Sequence, residues 1–349
     1  MKAFTSREIH ADYVEVDAGF MNIYEIAKKA GVSIATVSRV INNSPNVKPE
    51  TREKVKAVLR EYKYTPNAIA RSLVKRTTNT IGVLTSDVRD SYYASAIYTI
   101  EQKFREYGYN VILCNTGQEI ENKREYMKIM LQKKVDGIIL VGSVFREKSD
   151  NRHIYDAALQ VPLVMLNGHL DGENIYSIVC DDETGTYEAV KLLYSKGHRK
   201  MIYLYDADTF SGMAKIRGFK RGMKEKGLIL DSSCIIKVSP GITGGYDGVE
   251  KLEREGCEYT AILTSEDIVA AGVLKKLREV GKKVPQDAAV IGYNNSQVCL
   301  CTDPELSTVE NKVEEMAQGA VQILHDVLEG KDVPHKMTVT PELVIRGSC

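Results

Sequence analysis

Few groups of residues in this 349-residue chain combine the types and the spacing that chemistry needs. "GVSIATVSRVIN", residues 31–42, opens on a turn-forming glycine and continues with helical spacing from Ser33. On a helix, Val37, Val40 and Ile41 fall on one side, and Ile34, Ala35, Ser38, Arg39 and Asn42 on the other. The first side suits a core. The second is odd for a solvated face, because it begins with two apolar residues and carries one charge. "SPGITGGYDG" (239–248) sets glycines between a strand and a helix, a place where phosphate can be cradled. Its spacing is neither that of a dinucleotide loop nor of a P-loop, so an ordinary connection is expected. "DDE" (181–183) and "DAD" (206–208) could do acid–base work, but no nucleophile signature stands beside them, and solvated or ligand-facing carboxylates are expected. The seven cysteines are scattered, and Cys299 and Cys301 lack the two-residue gap of a redox or zinc motif. Reduced thiols follow, with neither metal nor cofactor expected. No Ser/His/Asp or Cys/His signature is visible, and no enzyme is expected.

The elements that must position these residues fall into two textures. Residues 21–79 hold twelve Lys or Arg against four acids, a net +8; residues 1–20 carry −2 and the remainder −6, giving formal zero. A basic head on an acidic body implies that the head meets a polyanion. Within it, "IYEIAKKA" (23–30) puts Ile23, Ile26, Ala27 and Ala30 on one stripe, Gly31 breaks the helix, and Ser33 is placed to cap the next. So short a turn between helices makes a helix-turn-helix unit. A third helix is predicted in "KPETREKVKAVLREYKY", with Pro49 in its first turn and Val55, Val58, Leu59 and Tyr62 at helical spacing. "TPNAIARSLVKR" (65–76) is shorter than a stable isolated helix and is expected to fold only against a partner. From Thr80 onward eight short apolar runs, "TIGVLTS", "YNVILCN", "DGIILVGS", "PLVMLN", "MIYLYDA", "CIIKVS", "YTAILTS" and "AAVIGYNN", alternate with amphipathic segments. That pattern predicts parallel strands in doubly wound α/β units, enough for two domains, with ligands at the carboxyl ends of the strands. No stretch nears the ~20 apolar residues of a membrane span and no secretory signal opens the chain, so a cytoplasmic protein with no membrane partner is expected.

"MNIYEIAKKAGVSIATVSRVINNSPNVKPETREKVKAVLREYKYTPNAIARSL" resembles, over its whole length, the DNA-binding head of the lactose-repressor (LacI/GalR) family. "TIGVLTSDVRDSYYASAIYTIE", "KVDGIILVGS", "GHRKMIYL", "IRGFKRGM", "SEDIVAAGVL", "VIGYNN", "PELSTV" and "TPELVIRGS" follow the family's order through the body. The resemblance spans residues 21–349 and is nearest the catabolite-control branch. It implies an all-α helix-turn-helix DNA-binding head plus an α/β periplasmic-binding-protein-like core of two doubly wound subdomains. The expected division is 21–65 for the head, 66–79 for a hinge helix and linker, 80–180 with 311–334 for one subdomain, and 181–310 with 335–349 for the other. Residues 1–20 match nothing in the family and are expected to be a disordered extension.

The resemblance also implies roles. The second helix enters the major groove, where Ile34 and Ala35 can pack on thymine methyls and Arg39 can bond a guanine. Ser33, Thr36, Ser38, Asn42 and Asn46 suit phosphates. In the hinge Asn67, Ala70 and Leu73 fall on the family pattern, with Leu73 the minor-groove wedge. Paired hinges imply a homodimer on double-stranded, pseudo-palindromic operator DNA, and no tetramer-forming heptad tail follows "ELVIRGSC". Between the subdomains a small effector, a sugar by preference or a purine-like molecule, would meet Asp90, Tyr92, Tyr93, Asn115, Asn167, Lys215, Glu266, Asp267 and Asn294. Three positions depart from the family pattern: Lys215 stands for Arg, Glu266 for Asn, and Asn294 for Asp. The expected function is a transcriptional regulator, by preference a repressor, whose operator affinity a sugar controls allosterically. The alternatives are control by a phosphorylated carrier protein, a sugar-binding receptor, and a sugar-handling enzyme.

Overall fold

The computed structural model describes residues 21–41, 43–62, 64 and 77–349. The hinge positions Asn67, Ala70 and Leu73, the recognition-face residue Asn42 and the segment 1–20 lie outside the described residues. The chain divides into two compact units, Met1–Thr78 and Asn79–Cys349.

In the first unit α1 (Ile23–Ala30), α2 (Ile34–Ile41) and α3 (Pro49–Glu61) close on Ile26, Ala27, Ala30, Val37, Val40 and Val55. A capping box starts α1: the Asn22 side chain accepts from the Glu25 N–H at 3.0 Å, and the Glu25 carboxylate accepts from the Asn22 N–H at 2.8 Å. Gly31, at φ 62°, ends it in the left-handed conformation. The Ser33 hydroxyl accepts the Thr36 N–H at 3.2 Å and so caps α2. Arg52 of α3 donates to the Asn43 side-chain oxygen and the Ser44 carbonyl, which fixes the turn leaving α2.

The second unit contains two six-stranded sheets. The first comprises β1 (Thr80–Thr85), β2 (Asn110–Asn115), β3 (Gly137–Val141), β4 (Leu163–Leu166), β5 (Ile175–Cys180) and, returning late, β11 (Lys336–Val339), in the order β11-β5-β4-β3-β1-β2. The second comprises β6 (Met201–Tyr205), β7 (Ile235–Lys237), β8 (Ala261–Thr264), β9 (Ala289–Tyr293), β10 (Ser307–Glu310) and β12 (Glu342–Val344), in the order β12-β10-β9-β8-β6-β7. Pairing is parallel throughout except between β10 and β12. On the first sheet α4 (Ser91–Glu106) and α12 (Val313–Leu328) cover one face, and α5 (Ile120–Gln132) and α6 (Arg152–Ala158) the other. On the second, α7 (Asp182–Ser195) and α8 (Phe210–Glu225) lie opposite α9 (Gly241–Arg254), α10 (Asp267–Glu279) and the short α11 (Val298–Cys301). Helices on both faces explain why a strand such as β3 is an unbroken apolar run, buried at every position.

Two expectations change here. The sequence division assigns residues 335–349 to the second subdomain, yet residues 336–339 pair with residues 177–180 in the first sheet. The last passage between sheets therefore falls between Val339 and Glu342. Lys336, Met337 and Thr338 are exposed on this edge strand, so no apolar run betrays it. The glycine-rich run is also more than a connection, because it forms the first turns of α9. A Cβ on Gly245 would stand 1.9 Å from the Val269 carbonyl oxygen, and one on Gly272 1.9 Å from that of Ile242. These glycines let the backbones of α9 and α10 touch.

Candidate functional site

The head presents a face. Val37 and Val40 are buried, while Ile34 is 40% exposed and Ala35 and Arg39 also reach solvent. Ser33 and Thr36 join their hydroxyls at 2.9 Å beside them, Ser38 is half-buried, and Asn46 is exposed in the turn before α3. One side of α2 holds the domain together and the other is left open.

In the core the polar residues gather at the carboxyl ends of strands. After β1, Asp90 caps α4 by accepting the Tyr92 N–H at 2.8 Å. Tyr92 and Tyr93 follow, their rings edge to face at 5.4 Å. Tyr93 lies so close to Gly142 that a Cβ there would stand 2.4 Å from its ring. Burial raises both phenols, with Asp182 and Tyr93 adding to the effect on Tyr92, and Asp90 and Glu266 to that on Tyr93. The start of α4, which belongs to the first sheet's subdomain, thus faces carboxylates of the second.

Those carboxylates follow β6 and β8. Asp206 accepts the Ser265 hydroxyl at 2.8 Å. Glu266 accepts from the Asn294 amide and lies 3.6 Å from the Lys215 Nζ. Lys215 is 4% exposed, donates to the Ser265 carbonyl at 2.9 Å and sits 3.8 Å above the Tyr293 ring. Burial works against its charge, but Glu266, Asp182 and Asp206 outweigh burial and hold its pKa above the ordinary lysine value. Burial pushes the Glu266 carboxyl up; Lys215 opposes this, while Asp206 and Asp90 reinforce it. Asp90 remains exposed, yet the protein around it and Asp206 opposite raise its carboxyl too.

The departures at Glu266 and Asn294 now have a physical account. Where the family pattern places an amide and then an acid, this chain has an acid and then an amide, and the two side chains bond each other. Asn294 also accepts from Asn311 at 2.7 Å, which ties it to the crossover after β10.

Three of the expected effector residues make bonds within the scaffold. Asp267 accepts from the Thr308 hydroxyl at 2.6 Å and the Ser296 N–H at 2.7 Å, pinning the loop after β9. Asn167, 6% exposed and at φ 60°, accepts the Cys180 N–H at 3.0 Å and so latches β4 to the first crossover. Asn115 accepts the Val88 N–H at 2.9 Å and lines a separate depression with Ser86, Asp87 and Arg89.

Sequence reasoning expected the carboxylates of "DDE" (181–183) to be solvated or ligand-facing, which the buried Asp182 is not, and it missed a bridge. Asp182, 2% exposed, accepts from the Tyr293 hydroxyl at 2.8 Å and the Ser211 hydroxyl at 2.5 Å, with the Asn167 amide at 3.5 Å. Its position just after a strand was the available signal. Arg146, after β3, lays its guanidinium 4.3 Å from the Phe210 ring centroid and so joins the two subdomains directly; nothing in its local sequence marks it. A Ser/His/Asp set from separated segments does exist, with His169 3.0 Å from the Ser177 hydroxyl and 3.2 Å from Asp171. Ser177 is wholly buried within β5, beyond reach of a substrate. Among the described residues no group of three or more His, Cys, Asp or Glu is placed to hold a metal, and no helix is long and apolar enough to cross a membrane.

A helix-turn-helix head followed by two doubly wound α/β subdomains defines a DNA-binding regulator with a ligand-binding type of core. Comparison with known proteins carries this to a family. Residues 22–67 match the model of bacterial regulatory proteins of the lacI family, and residues 190–349 match that of a periplasmic binding protein-like domain. A transcriptional regulator of the helix-turn-helix type from Lachnoclostridium phytofermentans is 42% identical, aligning 93% of this chain with 98% of its own. Catabolite control protein A of Priestia megaterium is 32% identical over 93% of this chain and 97% of its own. The crystal structure of the lac repressor dimer bound to operator and the anti-inducer ONPF superposes with a TM-score of 0.86 at 26% identity, covering 94% of this chain and 98% of that one. The chain belongs to the lacI family, and it is a DNA-binding transcriptional regulator with an effector-binding core.

Proposed function

We propose that two copies of this chain bind a pseudo-palindromic operator, and that a small sugar held between the core subdomains sets the affinity. Ile34 and Ala35 pack on thymine methyls, Arg39 bonds a guanine, and Ser33, Thr36, Ser38, Asn42 and Asn46 hold phosphates. Residues 66–79 act as the hinge, with Asn67 and Ala70 on its helix and Leu73 wedged into the minor groove. The lac repressor dimer on its operator supports the two-fold arrangement.

The effector reading rests on one observation. Asp90, Tyr92 and Tyr93 from one subdomain converge with Asp206, Lys215 and Glu266 from the other, giving carboxylates, a cation and aromatic rings to a polyhydroxylated ligand. Asp267, Asn167 and Asn294 support that wall from behind, and Asn115 steadies the loop before α4. A thermal-shift screen against sugars and purines, repeated with an operator selected from random DNA, tests it. A sugar that raises the melting temperature and also changes operator affinity is the expected result. A shift with purines alone replaces the sugar, and no shift with any small molecule turns the reading to a protein co-effector such as a phosphorylated carrier.

A further inference from the structure

Building on the reading that the cleft holds a small effector, we infer that this effector bears no negative charge. The cleft takes an uncharged sugar or one carrying an ammonium group, and turns away sugar phosphates and uronic acids.

The inference comes from charges and their partners. Asp90, Asp182, Asp206 and Glu266 lie within electrostatic reach of one another through Tyr92, Tyr93 and Lys215. Among the cations here, Lys215 and Arg146 are both engaged. Lys215 donates to the Ser265 carbonyl and attends Glu266, while Arg146 is stacked on Phe210. Asp182 is satisfied by Tyr293 and Ser211 and looks inward. The others keep capacity: Asp206 accepts from Ser265, Glu266 from Asn294 and Asp90 from the Tyr92 N–H, each leaving lone pairs for hydroxyl or ammonium donors. Burial is the main reason the Glu266 and Asp90 carboxyls are raised, and neighbouring carboxylates add to it: Asp206 and Asp90 at Glu266, and Asp206 at Asp90. A phosphate brought here would meet like charges in a partly desolvated space.

Two further observations concern the ligand, the first its hydroxyls and the second its charge. The Tyr92 hydroxyl is buried and has no hydrogen-bond partner among the described residues, and the groups it feels include Asp182 and Glu266. A buried hydroxyl left unpaired is costly, and a hydroxyl-rich ligand would relieve it. The buried cation beside these carboxylates, moreover, is a lysine, Lys215. An ammonium is a point charge and lacks the planar fork that seats a phosphate or carboxylate through two parallel bonds.

Titration calorimetry and thermal shift on the full chain test this with matched sets: glucose, glucosamine, glucuronate and glucose 6-phosphate, and the galactose counterparts of each. Within any set that binds, the neutral or amino member should be tighter than the acid and the phosphate by at least about tenfold. An anionic member binding tightest overturns the inference and leaves the sugar reading standing. Silence from every member, with and without operator, overturns the sugar reading itself. In the variant Asp206→Asn the neutral-to-anionic affinity ratio should fall severalfold. A ratio that does not move shows that these carboxylates do not set the selection.

Discussion

Glu266 enters the cleft with Asp206 and Asp90 already nearby and with Lys215 as its counter-charge. Its folded pKa is raised, so between the ordinary value of 4.5 and the folded one the native protein holds a proton that the unfolded chain has released. Stability therefore falls as pH rises through that window. Asp90 and Asp267 push in the same direction. Glu266→Gln keeps an acceptor for Asn294 and removes the charge, so it should raise the melting temperature at pH 7.5 and change it little at pH 4.5. Each kcal/mol relieved corresponds to about 2–4 °C in a core of this size. Equal shifts at both pH values would show that the charge was not the cause. On the head, Arg39 is the residue of the exposed α2 face able to make a two-pronged bond to guanine. Arg39→Ala should cost about 1–3 kcal/mol on the selected operator and relax the preference at one position of each half-site. Binding to a library randomised at each position reads this out, and uniform weakening on all sequences would reduce Arg39 to a phosphate contact.

Among the elements, α9 and α10 are held by absent side chains. Gly245 and Gly272 each leave a carbonyl oxygen of the opposite helix where a methyl would go. Helix propensity alone favours alanine over glycine by about 1 kcal/mol, so the sign of Gly245→Ala is diagnostic. Overpacking against backbone should cost about 2–3 kcal/mol net and move the urea midpoint of the core downward; a stabilised variant would mean that the helices can part freely. The same contrast explains what the sequence disclosed. All eight apolar runs became strands; in the inner ones, β1, β3, β4, β6, β8 and β9, burial on both faces writes itself as a continuous apolar run, while β2 and β7 at the sheet edges are only partly buried. β5 and β10 were not legible because Ser177, Ser307 and Thr308 interrupt their runs while being fully buried. The α2 faces were readable from helical period alone, since Val37 and Val40 had to be inside. In the cleft the family resemblance, and not the residue pattern, supplied Asp90, Glu266 and Asn294, and it gave no sign that Asp267 and Asn167 direct their bonds back into the scaffold. Asp182 and Arg146 depend on partners 15 to 111 residues away, and local pattern does not name such partners.

At the scale of the whole molecule, regulation requires that the effector bias the relative placement of the two core subdomains and that this placement change operator affinity. The sign of the coupling can be obtained without knowing the effector's chemistry in detail. Arg146 and Phe210 meet across the subdomains, and a ligand held by Asp90 on one side and Asp206 on the other favours the same approach. A partly desolvated cation–π contact is worth about 0.5–2 kcal/mol. Arg146→Ala should then weaken effector binding by about two- to thirtyfold. Linkage makes a second demand: a contact and a ligand that stabilise one conformation must move every coupled equilibrium the same way. Effector-free Arg146→Ala should therefore shift operator affinity in the direction opposite to the effector's action on the native chain. If the effector releases DNA, the variant binds operator more tightly; if the effector promotes binding, the variant binds more weakly. Phe210→Leu, which removes the ring and keeps an apolar side chain, should reproduce the shift. Operator titrations of the native chain and both variants, with and without effector, decide the matter. A variant that moves operator affinity in the same sense as the effector would place the Arg146–Phe210 contact outside the allosteric equilibrium.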